Sequence, residues 1–469
     1  MSLGRRKSER QREFWVSCED LAATPRHVFY DRLNELLAAG AFDDIVEELG
    51  APFYAENSGR PGVPLGVYFR MLFVGYFEGL DSQRGIAWRC DDSRSLRSFL
   101  GYAIHEKTPD HSSLTRIRQR LPDDVHQAVF TFVLRMAEEH RLLSNKTTAV
   151  DSTYLEANAA MKSIVRKDTR DDWQAYLTQL MHDEGAIEDD EEPTDEERRR
   201  FDKQRQSAGK KKVSNTDWES PHDRDARIMK MKDGRTHLAY KAEHTIDLAS
   251  DFLLDATVYH ADEADTKTLT RSLTSAQENL EAADVYRDIE EVAADKGYHA
   301  NETLVACREW HLFGVRTYIP EPESPYERRW TDKPPEYEEA YRANRRRVQG
   351  DRGKRLQKKR SELVERSFAH VCETGGARRT WLRGLADVNK RYKITAAARN
   401  LGVILRRLFG VGTPRGLQGG AGVVIDRFSV VYSLQIATTT LTGFWSRLIT
   451  PIAKKPIPRQ PATPCHQAA

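Results

Sequence analysis

From residue 25 to about residue 140, apolar side chains recur at three- and four-residue spacings, the pattern of helices that each bury one stripe. Within that stretch Val67-Tyr68-Phe69-Arg70-Met71-Leu72-Phe73-Val74-Gly75-Tyr76-Phe77 is apolar almost all round, which predicts a central helix enclosed by its neighbours. Downstream, Asp81-Ser82-Gln83-Arg84, Asp92-Ser93-Arg94-Ser95 and Pro109-Asp110-His111-Ser112-Ser113 each place a capping residue ahead of apolar positions. Short polar side chains accept from the free N–H groups of a first helical turn, so these are predicted helix starts. The expectation is an all-α domain of short helices over residues 1–143.

The rhythm changes near Lys146. Residues 147–150 read as a short buried strand, and residues 237–246 and 252–260 alternate or run apolar in strand fashion. Residues 265–282 then read as a helix, 289–294 as a strand, 301–310 as a helix and 314–319 as a strand. Strand, two strands, helix, strand, helix, strand is an α/β order, expected to occupy residues 144–410. Two segments interrupt it. An insertion at about 160–235 carries Glu188-Asp189-Asp190-Glu191-Glu192, Arg198-Arg199-Arg200 and Lys210-Lys211-Lys212, charge blocks that read as solvated helix or partial disorder. A basic segment at about 320–360 begins with Pro320, Pro322 and Pro325 and ends in Arg345-Arg346-Arg347 and Lys358-Lys359-Arg360. Residues 411–469 form a C-terminal extension expected to be partly disordered.

Composition narrows the class. At 469 residues two or three domains are expected, and a mean hydropathy of −0.67 describes a polar, soluble chain. A formal charge of +2 hides segregated acidic and basic blocks, so local sign matters more than net sign. Five cysteines, Cys18, Cys90, Cys307, Cys372 and Cys465, form no CxxC pair, which argues for a reducing cytoplasm and against structural zinc. Residues 422–445 are apolar-leaning but broken by Asp426 and Arg427 and rich in threonine, so no membrane span is expected.

Three acids carry the candidate chemistry. Asp151 ends the run Thr147-Thr148-Ala149-Val150, Asp295 ends Val292-Ala293-Ala294, and Glu365 lies in Leu363-Val364-Glu365-Arg366-Ser367-Phe368 on a predicted helix. Ligands of open α/β sheets collect at the carboxyl ends of strands, and oxygen donors select Mg²⁺ or Mn²⁺. Acids at the ends of the first and fourth strands fit an RNase H-like core, with Glu365 beside the apolar face of its helix. The blocks Val150-Asp151-Ser152-Thr153, Ala294-Asp295-Lys296-Gly297-Tyr298 and Val364-Glu365-Arg366-Ser367-Phe368, followed by Thr374-Gly375-Gly376-Ala377-Arg378-Arg379, resemble the three acidic motifs of bacterial insertion-sequence transposases of the DDE class. The resemblance extends to the helical block at residues 61–121 and the region 378–408. It implies that Asp151, Asp295 and Glu365 are catalytic and hold two Mg²⁺ or Mn²⁺ ions per active site. It further implies double-stranded DNA as partner, both element ends and target, a homodimer or larger synaptic complex, and a bacterial, nucleoid-associated location. The sequence departs from the family pattern seven residues after Glu365, where Cys372 replaces a phosphate-gripping lysine, and upstream, where Lys358, Lys359 and Arg360 replace a spaced tyrosine and arginine.

Other positions have a functional and a plain reading. Arg116, Arg118 and Arg120 could line a DNA-contacting helix or be exposed surface arginines. Lys296 could touch a phosphate and Tyr298 a base or phosphate, although tyrosine is commonly a packing residue; Gly297 permits close backbone approach. Arg345, Arg346, Arg347, Lys358, Lys359 and Arg360 could form a cationic wall beside the cut phosphate, with Arg366, Arg378 and Arg379 substituting for the absent grips. Trp330 could stack on an unpaired base but reads rather as a packing residue, and Asp265, which follows a strand, competes for a metal role but reads rather as a helix cap. The leading reading is a transposase that cuts element ends and transfers them to target DNA. Its rivals are an RNase H-like nuclease without strand transfer and a non-catalytic, transposase-derived DNA-binding protein.

Overall fold

A computed structural model of the chain describes residues 25–55, 62–144, 146–188, 192–207, 214–231, 234–311, 314–323 and 328–417. The N-terminal pattern becomes α1 (Pro25–Ala39), α2 (Phe42–Gly50), α3 (Leu65–Glu78), α4 (Gln83–Asp92), α5 (Arg94–Phe99), α6 (His111–Arg120) and α7 (Asp123–Glu139). Three predicted starts are N-caps as expected: Ser82 accepts from the N–H of Gly85, Ser93 from that of Leu96 and Asp110 from that of Ser112. Helix α3 buries twelve of its 14 residues, so it is the enclosed helix of the sequence pattern. Its buried charge, Arg70, is tolerated because its guanidinium forks onto both carboxylate oxygens of Asp43 (2.5 and 2.8 Å) and donates to Asn34 Oδ1.

The rest is α/β: β1 (Thr147–Glu156), β2 (Val165–Arg166), α8 (Trp173–Asp183), α9 (Asp195–Ser207), β3 (Trp218–Glu219), β4 (Arg227–Lys230), β5 (Thr236–Asp247), β6 (Leu253–His260), α10 (Asp265–Ala282), β7 (Glu291–Ala294), α11 (Asn301–Arg308), β8 (Arg316–Tyr318), α12 (Pro335–Gln349), α13 (Asp351–Phe368) and α14 (Leu385–Phe409). Among the described residues six strands form one mixed sheet in the order β4-β5-β1-β7-β8, with β6 also on β5. The strand β5 lies antiparallel to β1, whereas β7 and β8 continue the sheet parallel to it.

Two expectations change. The first strand does not stop at Asp151: β5 pairs with β1 from Thr148 to Glu156, so Asp151 is mid-strand, and only the parallel partner β7 stops there. The charged insertion is more than solvated helix, since β4 joins the sheet edge along residues 236–239 of β5 and β2 pairs with β3. Residues 189–191 and 210–212 of its charge blocks, and the apolar-leaning stretch 422–445, lie outside the described residues. Among those described, no helix is long and apolar enough to cross a membrane.

Helix α14 packs on α7 and α3 on one side and on β6 on the other, so helical block and sheet belong to the same compact unit, Met1–Leu417. It also closes the open edge of β6. Asn400 accepts from the N–H of Leu253 and donates to its carbonyl, and Asn389 accepts from the N–H of Val258. Further anchors are Lys393 on Asp123 (2.6 Å) and Arg399 on Asp251 (2.5 Å).

Between α3 and α7, His126 is fully buried, with Nδ1 on the Pro122 carbonyl and Nε2 on the Tyr68 hydroxyl, a neutral tautomer with both nitrogens satisfied. Burial pushes its pKa down to about 4 from an ordinary 6.5. The unfolded chain therefore takes up a proton that the folded chain refuses between those values, and stability falls as pH drops through 6.5 towards 4. From pH 7.5 to pH 5 this histidine should cost about 2 kcal/mol of stability. Urea unfolding of the wild type and of His126→Gln at both pH values checks this; equal pH dependence of the two proteins would refute it.

Candidate active site

The register of β1 and β7 assembles the first two acids. Val150 pairs with Ala294, so Asp151 and Asp295 follow side by side where β7 ends. Arg360 of α13 reaches both: Nη1 lies 2.7 Å from Asp151 Oδ2 and Nη2 lies 3.7 Å from Asp295 Oδ1. Its side chain is 12% exposed, against 27% for Asp151 and 52% for Asp295. Arg360 Nε donates to Gln357 Oε1, and the Gln357 amide donates to the carbonyls of Ala294 and Tyr318, tying α13 to the ends of β7 and β8. Burial pushes the Asp151 carboxyl above the usual aspartate range, against the pull of Arg360 and the Ser152 N–H, while Asp295 and Asp265 add to the push.

Asp265 is the neighbour that sequence reading misassigned. It is the first residue of α10, whose N-cap is Ala264, and no side chain caps this helix. Its carboxylate instead accepts from Ser152 Oγ (3.2 Å) and Lys241 Nζ (3.1 Å). A Cβ at Gly297 would come within 2.9 Å of Asp265 Oδ2, so glycine there permits the close approach of the Asp295 loop. The only advance signal for Asp265 was its place directly after a strand.

Beneath it lies a buried polar layer. Lys241 and Glu243 have fully buried side chains, with Nζ 3.7 Å from Oε2. All three Lys241 donors are used, on the Glu263 carbonyl, Asp265 and Thr268. Glu243 accepts from Thr268, Ser272 and the Tyr298 hydroxyl, and burial pushes its carboxyl up. Tyr298 is thus corrected: at 1% exposure, donating to Glu243, it braces the site from below and cannot reach DNA. Lys296 beside it is exposed.

No hydrogen bond or ion pair among the described residues joins Glu365 to the aspartates. Leu363, Val364, Ser367 and Phe368 face inward, whereas Glu365 is exposed and accepts from Ser361 Oγ one turn back. Among the described residues no three His, Cys, Asp or Glu side chains are grouped to hold a metal. After Phe368 the helix widens into a π turn, Ala369–Thr374. Cys372 within it is buried 3.9 Å from the Tyr392 hydroxyl, a packing residue where the family pattern has a lysine.

The basic candidates divide. Arg116 and Arg120 are exposed and line one cavity of about 380 Å³ with Tyr54, whose ring Arg120 covers at 4.6 Å. Arg118 between them is corrected: it is buried and paired with Asp387 of α14, because successive helical residues point 100° apart. Arg346, Lys358 and Lys359 are exposed. Arg347 donates to the carbonyl and hydroxyl of Thr317, and Arg345 to the Tyr341 hydroxyl, so both brace α12. Arg360 belongs to the acids, not to a free wall. Arg366 pairs with Glu362, Arg378 with Glu373, Thr153 and the Tyr154 carbonyl, and Arg379 with Glu156 and the Trp381 face. Trp330 packs on Tyr341.

Residues 17–120 match the family described as Transposase domain (DUF772), and residues 323–405 match Transposase DDE domain. Two separate segments of the chain are thus similar to transposase domains, a pattern consistent with an insertion-sequence transposase of the DDE class. No curated protein and no solved structure matches the chain. The DDE match, which implies an RNase H-like fold, covers the helical residues that include Arg360 and Glu365 and none of the strands of the sheet. Asp151 and Asp295 lie between the two matched segments.

Lys241 and Glu243 are desolvated together, so removing Lys241 leaves Glu243 without its buried cation, whereas removing Glu243 leaves Lys241 on Asp265. Lys241→Met should destabilise by about 3–5 kcal/mol, Glu243→Leu by less, and the double variant by less than the sum. Urea denaturation of the set checks this; strict additivity would mean that the two charges do not interact.

Proposed function

We propose that the chain is a metal-dependent transposase that cleaves DNA at insertion-sequence ends and joins the freed ends to target DNA. The observation that carries this reading is the side-by-side placement of Asp151 and Asp295 where the parallel strand β7 stops, in a chain with transposase matches on both flanks. The pair suits a divalent cation: its donors are all oxygen, and a positive group, the Arg360 guanidinium, already bridges it. Asp151 and Asp295 would hold Mg²⁺ or Mn²⁺, and Glu365 would be the third carboxylate. Bound metal would polarise the phosphate and activate the attacking oxygen.

The protein's own groups do the positioning. Asp151 is fixed by the Ser152 N–H and by strand pairing on β5, so it needs little reorganisation to accept a cation. Lys358 and Lys359, exposed on α13 just ahead of Arg360, would neutralise backbone phosphates, and Arg116 and Arg120 on the helical block would hold the duplex further away. Both element ends must meet for joining, so a dimer or larger synaptic complex is part of the reading.

The test uses the DNA that flanks the gene, where this reading expects inverted repeats. Wild type should cut it with Mg²⁺ or Mn²⁺ and join a precut end to a second duplex. Asp151→Ala, Asp295→Ala and Glu365→Ala should each lose cleavage while retaining DNA binding. Cleavage without joining would leave a nuclease. The outward position of Glu365 favours the other rival, a non-catalytic DNA-binding protein, which metal-dependent cleavage excludes. Near-normal cutting by any one variant removes that residue from the set.

Lys358→Gln with Lys359→Gln should weaken binding to DNA of any sequence and flatten the slope of log affinity against log salt by up to about 1.8, or 0.9 per lost phosphate contact. An unchanged slope would make these lysines an ordinary solvated face.

A further inference from the structure

Among the described residues, Arg360 is the basic side chain that pairs with both aspartates. We propose that it is the resident counter-ion of the acid pair, displaced when a divalent cation enters and thereby released to grip a DNA phosphate; this rests on the acid pair being the cation site. Two carboxylates side by side repel, and the partly buried Asp151 has less water to screen it. The guanidinium offsets that repulsion, which keeps the site folded before cation and DNA arrive.

Arg360 and a divalent cation compete because they need the same oxygens. Asp151 Oδ2 is taken by Arg360 Nη1 at 2.7 Å, and the other oxygen, Oδ1, accepts from the Ser152 N–H. A cation held by Asp151 and Asp295 would repel the guanidinium and compete with it for these oxygens. Among the described residues, the guanidinium's other bond besides those to the carboxylates is to Gln357 Oε1, three residues back on its own helix, so no described strand residue other than the acids holds it. The planar fork that matches carboxylate also matches phosphate. Its neighbours Lys358 and Lys359 are exposed, so a released Arg360 would join an existing cationic surface. Cation binding and DNA binding should then be positively linked, each strengthening the other by the same factor.

The full chain without DNA is titrated with Mn²⁺, free ion being read by electron paramagnetic resonance, for wild type, Arg360→Gln, Arg360→Lys and Asp295→Asn. Arg360→Gln should bind Mn²⁺ about tenfold more tightly, because the arginine-closed state no longer competes. Arg360→Lys, which keeps the charge without the fork, should fall between, and it decides the matter if the glutamine variant does not fold. Affinity for a short random-sequence duplex is then compared in Ca²⁺ and in EDTA: Ca²⁺ should strengthen wild-type binding more than binding by either Arg360 variant. Unchanged or weaker Mn²⁺ binding by the Arg360 variants, with binding lost in Asp295→Asn, would make Arg360 a permanent brace and overturn the inference while leaving the acid pair as the cation site. If wild type shows no Mn²⁺ binding that Asp295→Asn removes, the acid-pair reading fails and the inference with it.

Discussion

Everything at the candidate site depends on the register between β1 and β7. One side of β1 is held by β5 along nearly its whole length, and the other by β7 only as far as Val150. Where β7 leaves, the pairing groups of β1 open to one side and Asp295 comes down beside Asp151. A slip of one residue would turn Asp151 to the α10 face and bring Ser152 to the α13 face, since side chains alternate along a strand. The register is secured by burial: Ala149, Val150, Val292, Ala293 and Ala294 are all fully enclosed.

The two faces of the sheet then divide the charges. His244 pairs with Asp151 across β1 and β5 and is stacked on Phe368, with its two nitrogens on Ser367 and Tyr392; burial pushes its pKa down and keeps it neutral behind the acid pair. One residue along, Ser152 and Glu243 face α10, where Lys241, Asp265 and Tyr298 complete a satisfied polar layer. The acids where β7 ends are thus backed on both faces by groups that cannot move freely, the condition for a preorganised ligand set.

Legibility in the sequence followed the range of the interactions. Local features read well: the caps at Ser82, Ser93 and Asp110, the enclosed helix α3, and the bounds of α10, which match the expected 265–282. That Asp151 and Asp295 could converge was also readable, because each ends an apolar run in an α/β order whose strand ends collect ligands. Arg118 and Tyr298 were misread for one shared reason. Residue type suggests contact with DNA equally for a side chain that faces out and for one that faces in. The partners that turn them inward, Asp387 and Glu243, lie 269 and 55 residues away.

By itself the sequence determined the alternation of elements, the division into a helical block and an α/β segment, and the acids that end the apolar runs, all of which follow from side-chain periodicity over a few residues. Only the tertiary structure decided that α14 joins the helices to the sheet, that Asp265 belongs to the neighbourhood of the acids, that Glu365 points outward, and that Arg360 lies on the aspartates. Each of these depends on which helix face meets which strand. That choice is made by close packing and by the pairing of buried charges between segments hundreds of residues apart, and no local pattern encodes it.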